Sequence, residues 1–480
     1  MMLHLRRATV ALTVCVVAAC GDNSTGLRQG EFVGMQVVAG GDATDTVDHR
    51  FTQALVVEVR DERGDPIVDH PIRFSTVPVD PERPFGGYTA LVSSPERNEF
   101  GIFASDRTDS RGRARVLVQL GRKAGPALVI ITDPDHATAD TATFTVQPGQ
   151  GVAVLASPAD TAVYVGRTVT LRSAVADRWS NPRTDPVTHT VVGSAVTVSG
   201  STMSAVALGV AMVVTTAGTM ADTTNVTVPP EGTLAAFTFQ GLATFNTDGS
   251  GFRVLASDVV FSGVTTAWSP SGAEVAFDRS CCGGIQVVNL ASGARTTVTP
   301  ANSTALYPEF SRDGQWVYYS RGFWRLHRVH PDGTGDEQVP MLTPVSDGAP
   351  SFSPSGAQLV YVRITGGSQD QLWMLDVASG ASTNLNVLGH TPAWSPTGAQ
   401  IAFLSLSDGS GIKVMNPDGT GVRPVTTSGA YGFGLDWSPD GQWIVARSTS
   451  RDRIELINAT SGEVIPLPYT RGYNGPSWKP

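Results

Sequence analysis

The side chains able to carry chemistry in this 480-residue chain are read first by their spacing. Three Asp-containing, Gly-rich stretches stand at Asn246-Thr247-Asp248-Gly249-Ser250-Gly251, His330-Pro331-Asp332-Gly333-Thr334-Gly335 and Asn416-Pro417-Asp418-Gly419-Thr420-Gly421. A calcium loop alternates oxygen donors and ends on a bidentate Glu. These stretches lack that Glu and fall at one recurring hairpin, so they read as turns, with His330 as a turn residue. The eight His show no His-x-x-x-His pair. A closed zinc site needs about four ligands, so no metal and no cofactor is expected. A Gly-x-Ser-x-Gly elbow is absent, as are Gly-rich phosphate loops opening a helix. A formal net charge of −9 speaks against nucleic acid as a partner, because phosphate binding needs a basic surface.

Four Cys occur. Cys15 and Cys20 lie near the N-terminus, where Arg6 and Arg7 precede an apolar run from Ala8 to Ala19. That run is too short for a mature spanning helix and reads as a secretion signal. It ends Val17-Ala18-Ala19-Cys20 before the polar Gly21-Asp22-Asn23-Ser24, which resembles a bacterial lipobox with Cys20 lipidated. Cys281 and Cys282 are adjacent. They form either a vicinal disulfide, favoured outside the cytoplasm, or two surface thiols in a Cys-Cys-Gly-Gly turn.

The elements that position these residues are set by a repeat. An aromatic precedes a tight turn at Trp268, Phe310, Phe352, Trp394, Trp437 and Trp478, at steps of 42, 42, 42, 43 and 41. A fixed period of roughly 40–50 residues with strand-like patterning marks a β-propeller. Each turn reads Ser-Pro-x-Gly or close to it, as in Ser353-Pro354-Ser355-Gly356; Ser first and Pro second is a type I preference. Three further strands follow, as in Gln358-Leu359-Val360-Tyr361 and Leu372-Trp373-Met374-Leu375, giving four antiparallel strands per repeat. The chain's last copy, Pro476-Ser477-Trp478, stops inside a turn that Glu231-Gly232 resumes. The expectation is six blades with the ring closed by the C-terminal strand.

Across residues 230–480 the repeats resemble the WD40-like PD40 repeats of TolB-type six-bladed propellers. The resemblance implies a periplasmic role among envelope lipoproteins. TolB proteins carry an α/β N-terminal domain that is not seen in this sequence, so only the propeller carries over.

Residues 31–148 alternate strands and turns. Asp61-Glu62-Arg63-Gly64-Asp65-Pro66 precedes Ile72-Arg73-Phe74-Ser75, and Asp109-Ser110-Arg111-Gly112 precedes a Val-rich strand. This order resembles bacterial immunoglobulin-like domains of the invasin/intimin type. Val79 to Phe103 reads as an insertion, richer in Pro and charge than its surroundings. Residues 149–229 read as a second, smaller domain of that class, with Asp177-Arg178-Trp179-Ser180-Asn181-Pro182 echoing the first turn. The whole is expected to be all-β: signal peptide 1–20, tether 21–30, domains 31–148 and 149–229, and propeller 230–480.

Loops joining blades, and second to third strands, share one face of such a ring. They offer Arg279, Tyr307, Arg321, Phe323, Asp370, His390, Tyr431, Arg451, Arg471 and Tyr473. Aromatic and Arg side chains anchor binding surfaces, so this set is the candidate face for a protein or peptide partner. The expectation is a non-enzymatic, lipid-anchored scaffold of the bacterial envelope, on the outer membrane and facing periplasm or cell surface. Two other readings stay open. One is a lyase- or glycosidase-type propeller enzyme, which needs clustered His or carboxylates on the innermost strands. The other is an adhesin working through the immunoglobulin-like domains.

Overall fold

The computed structural model describes residues 32–480 apart from 81–86, 137, 260–264, 280–282, 301–302, 323–324, 343–345, 366–368, 406–410 and 427–429. Cys20, Cys281, Cys282 and Phe323 therefore lie outside the described residues. Among these residues the regular structure is strand, with a short 3-10 turn at Pro468–Thr470 and no α-helix. The chain divides into two compact units, Met1–Gln150 with Asp177–Asn181, and Gly151–Ala176 with Pro182–Pro480.

In the first unit, alternating apolar residues pack two sheets face to face. One sheet orders the strands Phe32–Ala39, Leu55–Asp61, Arg113–Leu120 and Ala90–Ser93. The other orders Ala43–Thr46, Thr138–Gln147, Gly125–Asp133, Pro71–Thr76 and Phe103–Arg107. Leu55, Val57 and Val59 meet Phe74, Val129, Ile131 and Phe144 in one buried core. Each such side chain is worth about 1.5–3 kcal/mol on burial. The stretch read as an insertion is partly scaffold: Ala90–Ser93 pairs with Arg113–Leu120 and buries Ala90 and Val92. Pro and charge on either side of those four residues mask their alternation.

The Asp-led turns share one mechanism. Asp61 Oδ1 accepts the amides of Arg63 and Asp65, each at 2.9 Å. Asp177 Oδ1 accepts those of Trp179 and Asn181 at 2.8 and 2.9 Å. Gly64 has φ +83° in the first turn, and Ser180 has φ +61° at the matching place in the second.

In the second unit, Gly209–Ala217 and Met220–Val228 form a long hairpin whose Val213, Val226 and Val228 pack on Leu171 and Met203. From Thr233 onward the sheets repeat. Four have four strands, and one has seven. The seven-stranded sheet is two four-stranded units sharing the strand Ser382–Trp394, which pairs with Gln371–Asp376 up to Leu388 and with Ile401–Ser405 from Gly389. The strand Asn474–Trp478 joins Thr233–Thr238, some 240 residues earlier.

Each turn is closed by its Ser. In Ser353-Pro354-Ser355-Gly356, the Gly356 amide donates to Ser353 O at 2.9 Å and Gln358 N donates to Ser353 Oγ at 3.1 Å. Gly356 sits at φ +74°, where a Cβ is strained, so the turn demands Gly. The six repeat aromatics are all buried, wedged against strands of the neighbouring sheet. The innermost strands contact one another in chain order, and Asn474–Trp478 also touches Thr266–Trp268.

Candidate functional site

The innermost strands, read backward from the repeat aromatic, build one cavity. Three residues before it stand Tyr307, Ala349, Thr391, Gly434 and Gly475, with φ of +57°, +49°, +44°, +91° and +56°. Pairing registers slip there, between Leu306 and Glu309, Gly348 and Ser351, and His390 and Ala393. Each is a β-bulge, and bulges re-aim the side chains that follow. Pro308, Pro350, Pro392 and Pro476 come next; Pro is tolerated because the innermost strand is a sheet edge.

The residue directly before the aromatic is Ala267, Glu309, Ser351, Ala393, Asp436 or Ser477. Where it can accept a hydrogen bond, it ties its sheet to the next. Ser351 Oγ accepts Trp394 N at 3.1 Å, Glu309 Oε1 accepts Phe352 N at 3.4 Å, and Asp436 Oδ2 accepts Trp478 N at 2.8 Å. Glu309, Ser351 and Asp436, with Tyr307, Arg312, Trp268, Trp394, Trp437 and Trp478, line a cavity of about 290 Å³.

Two carboxylates thus face one cavity. Desolvation pushes Glu309 up to about 7; Asp436 adds to the rise, while Arg312 and the Phe352 amide oppose it. Desolvation likewise pushes Asp436 up to about 6, against its two amide donors and Arg312. Arg312 stands where the other turns have Pro, and donates to Phe352 O at 3.0 Å and Ser353 O at 3.4 Å. Pro354, Pro396, Pro439 and Pro480 line the cavity around it.

The residues chosen from sequence fall mostly into local pairs. His390 Nε2 lies 2.8 Å from Asp370 Oδ2, and Asp370 is buried. Arg451 and the Tyr431 hydroxyl both reach Glu455, at 3.2 and 3.3 Å. Arg321 pairs with Asp336 at 2.6 Å, and Arg279 lies 3.7 Å from Asp258. Arg471 is mostly exposed, 3.9 Å from Asp452. Tyr307 stacks edge-on with the exposed Phe433, centroids 5.9 Å apart, and Tyr473 with the exposed Phe239 at 6.5 Å. Of the described members of the set, Tyr307 alone lines the cavity.

Sequence reasoning missed Glu309 and Asp436. It looked for chemistry further upstream on these strands, where His390 stood out. The signal was the position before the aromatic: small in four repeats and acidic in two.

Comparison with known proteins gives four matches. An uncharacterized protein of Agrobacterium fabrum is 29% identical over 119 residues, 23% of this chain; the chain spans 39% of that relative's length. Among solved structures, TolB from Acinetobacter baumannii superimposes with TM-score 0.44 at 15% identity over 61% of this chain and 82% of that one. An oligogalacturonate lyase in complex with manganese does so with TM-score 0.33 at 15% identity over 63% and 74%. Residues 329–480 match the family model described as the TolB beta propeller domain, PD40.

Proposed function

We propose that residues 230–480 form a six-bladed propeller closed by the C-terminal strand, and that it binds a protein or peptide partner through its loop face and central cavity. The pairing of Thr233–Thr238 with Asn474–Trp478 supports the closure. In this reading Cys20 carries a lipid anchor in a bacterial envelope, and two immunoglobulin-like domains, 31–148 and 149–229, separate it in sequence from the propeller.

One observation carries the binding reading. Ser351 makes the sheet-to-sheet bond without a charge, so the scaffold has no need of the charges on Glu309 and Asp436. Unpaired carboxylates in a desolvated cavity are costly, and a cationic group offsets that cost by direct pairing. The partner presents a Lys or Arg side chain, or a terminal amine, to this cavity. Aromatic pairs Tyr307–Phe433 and Tyr473–Phe239 offer apolar contact for the flanking chain.

The test uses the cavity's own Trp268, Trp394, Trp437 and Trp478 as fluorescent reporters. The full chain is titrated with extended peptides that differ only at one position: Lys, norleucine or Glu. The proposal expects binding of the Lys peptide, weakened roughly tenfold or more in Glu309→Gln/Asp436→Asn, in line with losing a desolvated charge partner. Equal affinity for all three peptides defeats it.

The same carboxylates favour one other reading, an enzyme acting on polysaccharide. Two carboxyls with pKa values raised to different extents are the raw material of acid and base roles. Against it, Asp436 is held by the Trp437 and Trp478 amides at 2.8 Å each, a structural duty. Release of reducing ends from acidic or neutral glycans, abolished by either single variant, decides for the enzyme.

A further inference from the structure

The first unit contains a cluster that no binding reading of the propeller uses. Asp133 ends the strand Gly125–Asp133, is buried, and begins a tight turn. Its Oδ1 accepts the amides of Asp135 and His136 at 2.8 and 3.3 Å. That leaves Oδ2 for other donors. Two imidazole nitrogens converge on it: His70 Nε2 at 2.8 Å and His136 Nδ1 at 2.9 Å. His70 precedes the strand Pro71–Thr76 and is held by its own amide, which donates to Thr108 Oγ1 at 2.8 Å. On its far side, His70 Nδ1 looks toward Asp135 Oδ2 at 3.9 Å.

We propose that His70, Asp133 and His136 form a binding site for a first-row transition-metal dication of the zinc class. The three ligand atoms lie within 4.8 Å of one another. Tetrahedral zinc with bonds of about 2.0–2.1 Å sets its ligands roughly 3.3 Å apart, so each imidazole nitrogen draws back from Asp133 Oδ2 by about half an ångström to admit the ion. Two imidazoles and one carboxylate select this class over calcium and magnesium, which take oxygen donors. The outer shell is also in place. Asp133 is steadied by two amides, and Asp135 faces the second nitrogen of His70, the carboxylate–histidine–metal arrangement. His136 is 42% exposed while Asp133 is 0%, so the ion enters past His136 and leaves a fourth position open to water. Binding displaces the protons now shared among the three groups. It also staples two segments 63 residues apart in sequence, closing one end of the sandwich.

The test uses the untagged full chain, stripped with chelator and titrated with Co2+ and, separately, Zn2+. One equivalent of Co2+ is expected to give visible bands of tetrahedral intensity. One equivalent of Zn2+ is expected to raise the melting temperature by a few degrees, as any ligand of the native state does. Both signals vanish in His136→Gln, whose exposed ring can be replaced without opening the core, and in His70→Gln. Absence of the tetrahedral spectrum in the parent chain overturns the proposal. So does retention of both signals in His136→Gln, which would place the metal elsewhere, for example on cysteines.

Discussion

Replacing Glu309 with Gln should make the protein more stable in alkaline solution and leave it unchanged in acid. Glu309 is half-buried in the cavity, receives one long amide bond, and is pushed from 4.5 up to about 7 by desolvation. A carboxyl with a raised native pKa binds its proton more tightly folded than unfolded. Its favourable contribution is therefore fully present below pH 4.5 and is lost as pH rises through about 7. At roughly 1.4 kcal/mol per pH unit, the penalty at pH 8 is about 3 kcal/mol at most. Partial exposure of the carboxyl and its coupling to Asp436 reduce this, and about 1–2 kcal/mol is the expected gain for Glu309→Gln. Urea titrations at pH 8 and pH 4 measure it as a higher midpoint at pH 8 with unchanged slope, and coincident midpoints at pH 4. A variant less stable than the parent at pH 8, or one whose difference ignores pH, refutes the desolvation argument.

Other consequences follow from particular residues. Burial alone would raise Asp177, but hydrogen bonds from Asn181, Gly149 and Trp179 outweigh it and hold the carboxyl at about 2. Its contribution is present above pH 3.8 and is lost as pH falls through 2, so Asp177→Asn should cost about 2 kcal/mol near neutrality and little at pH 2, read by denaturant midpoints. Thr391 is β-branched, has φ +44°, and buries a hydroxyl with no hydrogen-bond partner. Thr391→Gly should therefore stabilise by about 1 kcal/mol, where Gly in an ordinary strand would destabilise. Deleting Asn474–Pro480 removes the strand that covers Leu234 and Phe237; loss of the cooperative thermal transition, or aggregation, is expected, and an unchanged melting temperature contradicts the role given to that strand.

Much of the repeat was legible because one physical demand recurs. Every turn needs a Ser whose hydroxyl caps the fifth residue on, and a Gly that tolerates positive φ, so Ser269, Ser353, Ser395 and Ser438 announce themselves. The Asp-led turns were legible for a similar reason: Asp61 and Asp177 each satisfy two amides that nothing else reaches. The cavity was harder to read. Which side chains point inward is decided by the bulges at Tyr307, Ala349 and Thr391, and a bulge is invisible to a period-two reading. Glu309 and Asp436 therefore hid among small residues. The strand Ser382–Trp394 passes without a break from one sheet unit to the next, where a loop was expected around His390. The His70–Asp133–His136 cluster could not be found from spacing, because one end of the sandwich brings together residues 63 apart in sequence.

The central claim is that Glu309 and Asp436 receive a cationic group of a partner. At pH 6.5, with values of about 7 and about 6, Glu309 is mostly protonated and Asp436 mostly ionised, so the protons that a bound cation expels come chiefly from Glu309. Calorimetric titration of the full chain with a Lys-bearing extended peptide at pH 6.5, in two buffers of different ionisation enthalpy, counts those protons. The account predicts net proton release that disappears in Glu309→Gln/Asp436→Asn. Binding without proton release, or with release unaltered in the double variant, would contradict it.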